Sequence, residues 1–442
     1  MTDVKSDSAV DLSQYLYAPN EGVCPDTGED LAEKLDALFD KSHAMQKGIY
    51  FPEGVYLTSK DAIMKSHNSL RGAMSGTVFR GISASGNAVM FGDATYENTV
   101  TNLSIRNIIF DNARVHFYGR KTNINVSYNV FINTVTATDM AQLTCSTNAY
   151  VIKGNVFMRG RGYAGVGLST YGNAPGLVVE QNFLGSVTDI DAATPWIDGE
   201  TQAILATLLE RREAGLMTFD DAQGDFVAGW YSTSNLRKGV FRKNFFTGSK
   251  EMFLYNPATG EEDIQRDHNI YIKQYDQVEV VQNYFAGWPG DHPSGQLKFR
   301  NAKGLVFAGN YLLGTSFNAR PYNTVADQWL IMQDTYIFNN YLDDGIISYW
   351  QNFVDSEVEA IRVENYLVFA NEFINREATE AFITSPARTF SADQFLCAEN
   401  RFVESGALVP VSGVFVETNI ETLRAMLPEY ASQYVDIEVI KP

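Results

Sequence analysis

Gln277-Val-Glu-Val-Val-Gln-Asn-Tyr-Phe285 and Gly304-Leu-Val-Phe-Ala-Gly-Asn-Tyr-Leu312 decide the fold. In each stretch a short β-branched or aromatic run ends in a turn residue, then Asn, then an apolar pair. The signature recurs at Asn107-Ile-Ile-Phe, Asn129-Val-Phe, Asn155-Val-Phe and Asn182-Phe-Leu. It returns at Asn244-Phe-Phe, Asn340-Tyr-Leu, Asn371-Glu-Phe and Asn400-Arg-Phe. Successive Asn residues are 22, 26, 27, 62, 39, 27, 30, 31 and 29 residues apart. Periods of this size mark a solenoid. The period-2 runs say that each unit is built of strands. Stacked strand coils put one Asn above the next, where their amides can form a ladder. The expected fold is therefore all-β: a right-handed parallel β-helix of about ten coils. A β-sandwich spaces strands at roughly 8–12 residues and has no reason to repeat one turn residue.

Working outward, residues 27–46 read as an amphipathic helix, with Leu31, Leu35 and Leu38 at helical spacing. Such a helix would cover the open edge of the first coil. The expected organisation is an extension over 1–26, the capping helix and first coil over 27–70, and coils over 71–410. Residues 411–442 would cap the far end, with a helix over 417–427 ended by Pro428. The 62-residue interval holds an insertion, about 186–230, with a helix over Gly199–Leu216. A second loop, about 249–266, accounts for the 39-residue interval. Both insertions are expected to wall a groove.

The 442-residue chain carries a net charge of −19. That field disfavours nucleic acid and anionic membrane as partners. No run of 18 apolar residues exists, so no membrane-spanning helix is expected. The stretch Met1 to Asn20 has no apolar leader core. Cys24, Cys145 and Cys397 are odd in number and far apart, which implies no disulfide framework. One region departs from the acidic average. Between Arg237 and Lys303 lie ten basic residues against eight acidic ones. This local excess points to an anionic ligand.

Two consecutive coils carry the chemistry. The first contains Asp267-His-Asn-Ile-Tyr-Ile-Lys-Gln274, the second Gly295-Gln-Leu-Lys-Phe-Arg-Asn301. Lys273 precedes Asn283 by ten residues, as Arg300 precedes Asn310. Tyr271 and Lys298 each stand twelve before. In register, Lys273 stacks beside Arg300 and Tyr271 beside Lys298. With Ile270, Ile272, Leu297 and Phe299 inward, these four side chains share the outer face. Clustered cations can hold a carboxylate as enolate charge develops. They can also favour the neutral form of a Lys, which then serves as a base. A solvated face paired with Asp267 or Asp276 is the plainer alternative.

His43, His67 and His116 read as structural. His268 alternates with inward Ile270, which favours a buried or half-buried role. His292 and Trp288 sit in a long loop, Trp288-Pro-Gly-Asp-His-Pro-Ser294, where an indole can stack on a sugar. The substrate-binding candidates are Tyr271, Lys298, His268, His292, Trp288 and, from the basic stretch, Lys243.

The two coils resemble polysaccharide lyase family 6, the chondroitinase B-like alginate lyases. That family has a Lys base on one coil and an Arg in Leu-Arg-His-Gly-Asn on the next, then Val-x-x-Asn-x-Phe-x-Gly. Here Leu297-Lys-Phe-Arg-Asn301 and Val306-Phe-Ala-Gly-Asn-Tyr-Leu-Leu-Gly314 stand at those places. The resemblance covers about 50 residues. It implies Lys273 as base, Arg300 as acid or carboxylate partner, and alginate as substrate. It also implies calcium, but Arg266 and His268 fall where acidic ligands are expected, so no cofactor is assigned. Asn301 replaces the family's His. The stretch Phe51-Pro-Glu-Gly-Val-Tyr56 looks instead like the first coil of phage tailspike depolymerases and other pectin-lyase-like proteins.

The leading expectation is a uronate-polymer lyase with an anionic polysaccharide as partner, secreted or periplasmic. A phage virion protein, trimeric if tailspike-like, is the alternative setting. A β-helical glycoside hydrolase needs two carboxylates about 5–9.5 Å apart. Its candidates are Asp263, Asp267, Asp291, Asp334, Asp343 and Asp344. A uronate C5-epimerase would use the same Lys, Arg and Tyr. A non-catalytic adhesin is a third class.

Overall fold

The computed structural model describes residues 11–74, 76–95, 97–135, 141–158, 166–170, 176–219, 228–232, 236–247, 253–256, 261–265, 268–286, 297–320, 331–349, 362–374, 382–385 and 394–442. The chain is a right-handed parallel β-helix. Its strands form one 22-stranded and one 12-stranded parallel sheet, with a separate two-stranded hairpin. Each coil has three faces. In the Lys273 coil, the strand His268–Val281 bends at Gln274, where φ is +54°. Face one precedes that bend and face two follows it. Tyr284–Ala286 forms face three. The next coil bends at Asn301, with φ +56°, and pairs in register on both sides of the bend. Asn tolerates the left-handed region better than most residues, so Asn301 suits this corner.

The turn into face three explains the repeated Asn. Asn283 is fully buried. Its Nδ2 donates to the carbonyls of Phe241 and Val281 at 3.0 and 3.1 Å and to Asn310 Oδ1 at 3.1 Å. Its Oδ1 accepts from the backbone and side chain of Asn244, both at 2.9 Å. The same links join Asn129, Asn155, Asn182, Asn244, Asn283, Asn310, Asn340, Asn371 and Asn400 into one ladder. Asn107 is not a member. It takes the left-handed slot before the ladder position, at φ +59°, and Ile108 N–H donates to Asn129 Oδ1 instead. Its four-residue motif, with Phe at the third position after Asn, already departed from the others.

The apolar pair after each Asn splits. The second residue enters the core, where Phe110, Phe131 and Phe157 stack at 5.2 and 5.0 Å. The first faces outward on face three. Phe183, Phe245, Tyr284, Tyr311 and Tyr341 form an outer stack with centroid spacings of 5.7, 4.3, 5.5 and 5.1 Å. The inserted segment covers part of this apolar stripe. Its helix runs Gly199–Glu213, capped by Asp198, whose side chain accepts Thr201 N–H at 2.9 Å. Trp196, Ile204, Leu205 and Leu208 pack there with Val130, Val156 and Phe245. Burying each such side chain stabilises by roughly 1.5–3 kcal/mol. The described part of the insertion therefore packs on face three and does not wall face one. The apolar outer stripe dictates this.

The chain ends differ in role. The N-terminal helix spans Ala32–Met45, shorter than its pattern because Gly28, at φ +73°, and the Asp30 contact to Ala32 N–H precede it. Leu35, Leu38 and Phe39 join the main core with Ile49, Phe51 and Tyr56, so this helix closes the first coil. The C-terminal helix, Ile420–Met426, lies along face two instead of across the last coil. Leu423, Leu427 and Ala431 cover outward Phe338, Leu367, Phe369 and Ala398. The strap continues along the flank to Tyr434, whose hydroxyl meets Glu279 at 2.5 Å. No helix among the described residues is long and apolar enough to cross a membrane.

Candidate functional site

Faces two and three carry apolar outer stripes covered by chain segments. Face one is different, because from His116 onward its described outer residues are mostly polar. One register column runs His116, Thr144, Ser169, Tyr231, Tyr271, Lys298, Asn318, Ser348 and Thr384. The column beside it contains Lys273, Arg300 and Arg320. Strand alternation produces both, because Ile270, Ile272, Leu297, Phe299, Phe317 and Ala319 fill the core.

The expected constellation forms as its spacing implied. Tyr271 is opposite Lys298, and Lys273 is opposite Arg300, in adjacent strands about 4.8 Å apart. Arg300 Nη1 donates to Tyr271 Oη at 2.8 Å. Its guanidinium carbon also lies 4.7 Å from the Tyr271 ring centroid. Lys298 and Arg300 are 6% and 8% exposed, and Lys273 is half-buried. Cations this far from bulk water attract an anion more strongly than surface ones. Such a grouping can hold a carboxylate, supply a base in Lys273 and supply an oriented phenol in Tyr271.

Arg320 was missed. It is 2% exposed and opposite Arg300. The connection 321–330 places it twenty residues before Asn340, so counting ten back from the ladder passes over it. The alternation Phe317-Asn-Ala-Arg320 did carry the signal. Asn318 was missed for the same reason; its Nδ2 donates to Ser348 Oγ at 2.8 Å.

Other expectations move. Lys243 is exposed in the turn just before ladder Asn244, at φ +53°. It therefore sits between faces two and three and does not join Lys273. Arg242 pairs with Glu180 at 2.6 Å on face two. The basic stretch is thus divided among faces by the coil geometry. Asp276 is past the bend, opposite Lys303, and not on face one. Trp288, His292, Asp263's side chain, Asp267, Asp291 and Arg266 lie outside the described residues, as does the side chain of His268. The His268 backbone pairs with Ala228 at the start of face one. Of loop 249–266, the strands Phe253–Asn256 and Glu261–Gln265 form an antiparallel hairpin preceding that strand. Asp334 accepts from Tyr336 and Asn365 on face two, and Asp343 accepts from Tyr311 on face three. Asp344 directly follows the face-three strand Tyr341–Asp343. These three carboxylates therefore do not meet at face one.

The resemblance implies calcium, an ion that needs about six to eight oxygen ligands. Among the described residues no group of three or more His, Cys, Asp or Glu is arranged to hold a metal. The described neighbours of Lys273 are cations and a phenol, which do not fit calcium. A cleft of about 450 Å³ lies elsewhere, between the strap residues 436–441 and the turn Asn339-Asn340. It is lined by Glu372, Asp436, Glu438 and Lys441 and lacks the paired cations of face one.

Two histidines serve the scaffold. His43 Nδ1 donates to the Ser66 carbonyl at 2.8 Å, and His67 holds a left-handed turn at φ +69°. His116 is half-buried on face one. Burial first, then the neighbouring Arg114, push its pKa down to about 4. The unfolded chain, with an ordinary His, binds a proton between about pH 6.5 and 4 that the folded chain refuses. Stability from this group is thus complete above pH 6.5 and lost as pH falls toward 4. Urea midpoints should show wild type losing more than His116→Gln over that window. The difference should be on the order of 1–3 kcal/mol.

No family model and no curated protein match the chain. Solved structures do. PfbA, a surface adhesin of Streptococcus pneumoniae, is 10% identical with TM-score 0.53, covering 91% of each chain. The A-module of Azotobacter vinelandii mannuronan C-5 epimerase AlgE4 is 11% identical with TM-score 0.40, covering 91% of this chain and all (100%) of that one. A tailspike protein of E. coli bacteriophage HK620 is 11% identical with TM-score 0.46, covering 92% and 65%. The likeness to PfbA is that of the right-handed parallel β-helix fold. At these identities the likeness concerns fold alone.

Proposed function

We propose that the protein is a polysaccharide lyase that cleaves a uronic-acid-containing polymer by β-elimination, with alginate the leading substrate. The observation that carries this reading is the face-one pairing of Lys273 with Arg300 and of Tyr271 with Lys298, with Arg300 bound to the Tyr271 hydroxyl. The resemblance of these coils to polysaccharide lyase family 6 supports it.

The chemistry follows from the groups. Lys273, as the general base, takes the proton at C5, α to the carboxylate. That electron pair forms the C4–C5 double bond as the C4–O bond breaks. The departing oxygen needs a proton. A guanidinium gives up protons poorly, whereas a phenol does so readily. Tyr271 is therefore the donor, and Arg300 orients it by donating to Oη. Arg300 and Lys298 hold the carboxylate while enolate charge develops. Such a polymer is met outside cells or on a phage particle's host.

A panel of uronate and neutral polysaccharides tests the reading. A new double bond absorbs in the near ultraviolet, and uronate polymers should produce that signal. Reducing ends without absorbance would mean hydrolysis. Changed uronate stereochemistry without cleavage would mean epimerisation. Binding without any product would mean an adhesin.

A further inference from the structure

Face one has a second cluster, near its N-terminal end. Ile63, Gly92 and His116 are register partners in three successive coils. Arg114 and Tyr118 lie two positions either side of His116, on the same outer side. Ile63 and Tyr118 are 40% and 39% exposed. Between Ile63 and His116 the chain has no side chain, because Gly92 holds φ +137° and a Cβ there would lie 2.1 Å from the His116 carbonyl oxygen. The result is a shelf with apolar margins.

Its polar groups are oriented. Arg114 Nη1 lies 3.0 Å from His116 Nδ1. A guanidinium only donates, so Nδ1 accepts and the ring proton sits on Nε2. The Tyr118 ring stands edge-on to His116 at 6.3 Å. Two further charges act on the cluster, Asp61 from another coil and Lys121 from farther along the same strand, Ala113–Ser127. Asp61, exposed, accepts Met90 N–H at 2.7 Å and attracts Arg114. Lys121 is already held by Asp93 at 3.5 Å and the Asn98 carbonyl at 3.0 Å. Half-buried Arg114 is partly stripped of water, which favours pairing with an anionic group.

We propose that Ile63, Arg114, His116 and Tyr118 form a second carbohydrate site for an acid-bearing sugar. Tyr118 and Ile63 contact the apolar ring face. Arg114 grips the acid group with its planar fork. His116 Nε2–H donates to a hydroxyl. The ligand class rests on the reading of the protein as acting on a uronate polymer; the shelf itself does not. His116 is four register steps from Tyr271, about 19 Å at one coil spacing each. Both sites occupy one face, so one polymer molecule can engage them together and be retained by avidity.

The chain has five histidines, so ring resonances are few. The His116 signal is assigned by its loss in His116→Gln. A uronate trisaccharide titrated into the wild type should shift that signal saturably. Tyr118→Ala and Arg114→Gln should each raise Kd at least tenfold, with an unchanged thermal transition as the folding check. The neutral trisaccharide of the same linkage should bind at least tenfold more weakly. A His116 signal that never moves overturns the proposal, as does equal binding by the Tyr118 and Arg114 variants or by the neutral sugar. A saturable shift without lyase product supports the shelf and removes the lyase reading. Lyase product without the shift keeps that reading and removes the shelf.

Discussion

Lys273→Ala should lose about 10²–10⁴-fold in turnover on a uronate polymer, the usual contribution of general-base catalysis. Substrate affinity should change little, because Arg300 and Lys298 still hold the carboxylate. Arg300→Lys should fail as well. A lysine could keep the charge but cannot both grip a carboxylate with a planar fork and donate to Tyr271 Oη, as Arg300 does at 2.8 Å. Tyr271→Phe separates the roles. It removes the proton donor and leaves the cations, so kcat should fall with KM nearly constant. Ultraviolet product assays on folded variants check all three. Near-normal turnover in Lys273→Ala would reject the mechanism at this site.

Asn283→Ala should destabilise the protein by at least about 3 kcal/mol, because five buried side-chain hydrogen bonds are lost and buried groups short of a partner cost roughly 1–3 kcal/mol each. The partners are the Phe241 and Val281 carbonyls, Asn310 Oδ1 and the Asn244 donors. Asn283→Asp should be worse and fail to yield soluble protein, since a buried carboxylate would face those carbonyl oxygens. Asn107→Gly is the contrast. Asn107 sits at φ +59° outside the ladder, where Gly is at ease, so stability should change by less than about 1 kcal/mol. Urea denaturation of the three variants measures the gap. Equal losses at Asn283 and Asn107 would mean that the ladder adds nothing specific.

The repeat was legible because the ladder demands a side chain that both donates and accepts, and Asn at fixed spacing meets that demand. The same count gave the pairing of Lys273 with Arg300, since equal offsets from Asn283 and Asn310 become cross-strand neighbours. Arg320 escaped it because residues 321–330 interrupt the count, although its strand register puts it opposite Arg300. Lys243 was misjudged for a related reason. Charge clustering along a chain ignores which of three faces each residue takes, and a residue one before the ladder Asn belongs to the turn.

The sequence by itself determined the coil, its register and the grouping of Tyr271, Lys273, Lys298 and Arg300, because these depend on strand alternation and on one hydrogen-bonded Asn per turn. Only the tertiary structure decided which face the described parts of the insertion and the strap pack on, and that this is not face one. Helical periodicity in residues 199–216 showed an apolar side but not its destination. The destination was set by stacked Phe183, Phe245 and Tyr284, outward residues of three different coils that make a continuous stripe only when the coils are stacked. The C-terminal helix likewise lies along Phe338, Leu367 and Phe369 because burying that assembled surface is what holds it in place.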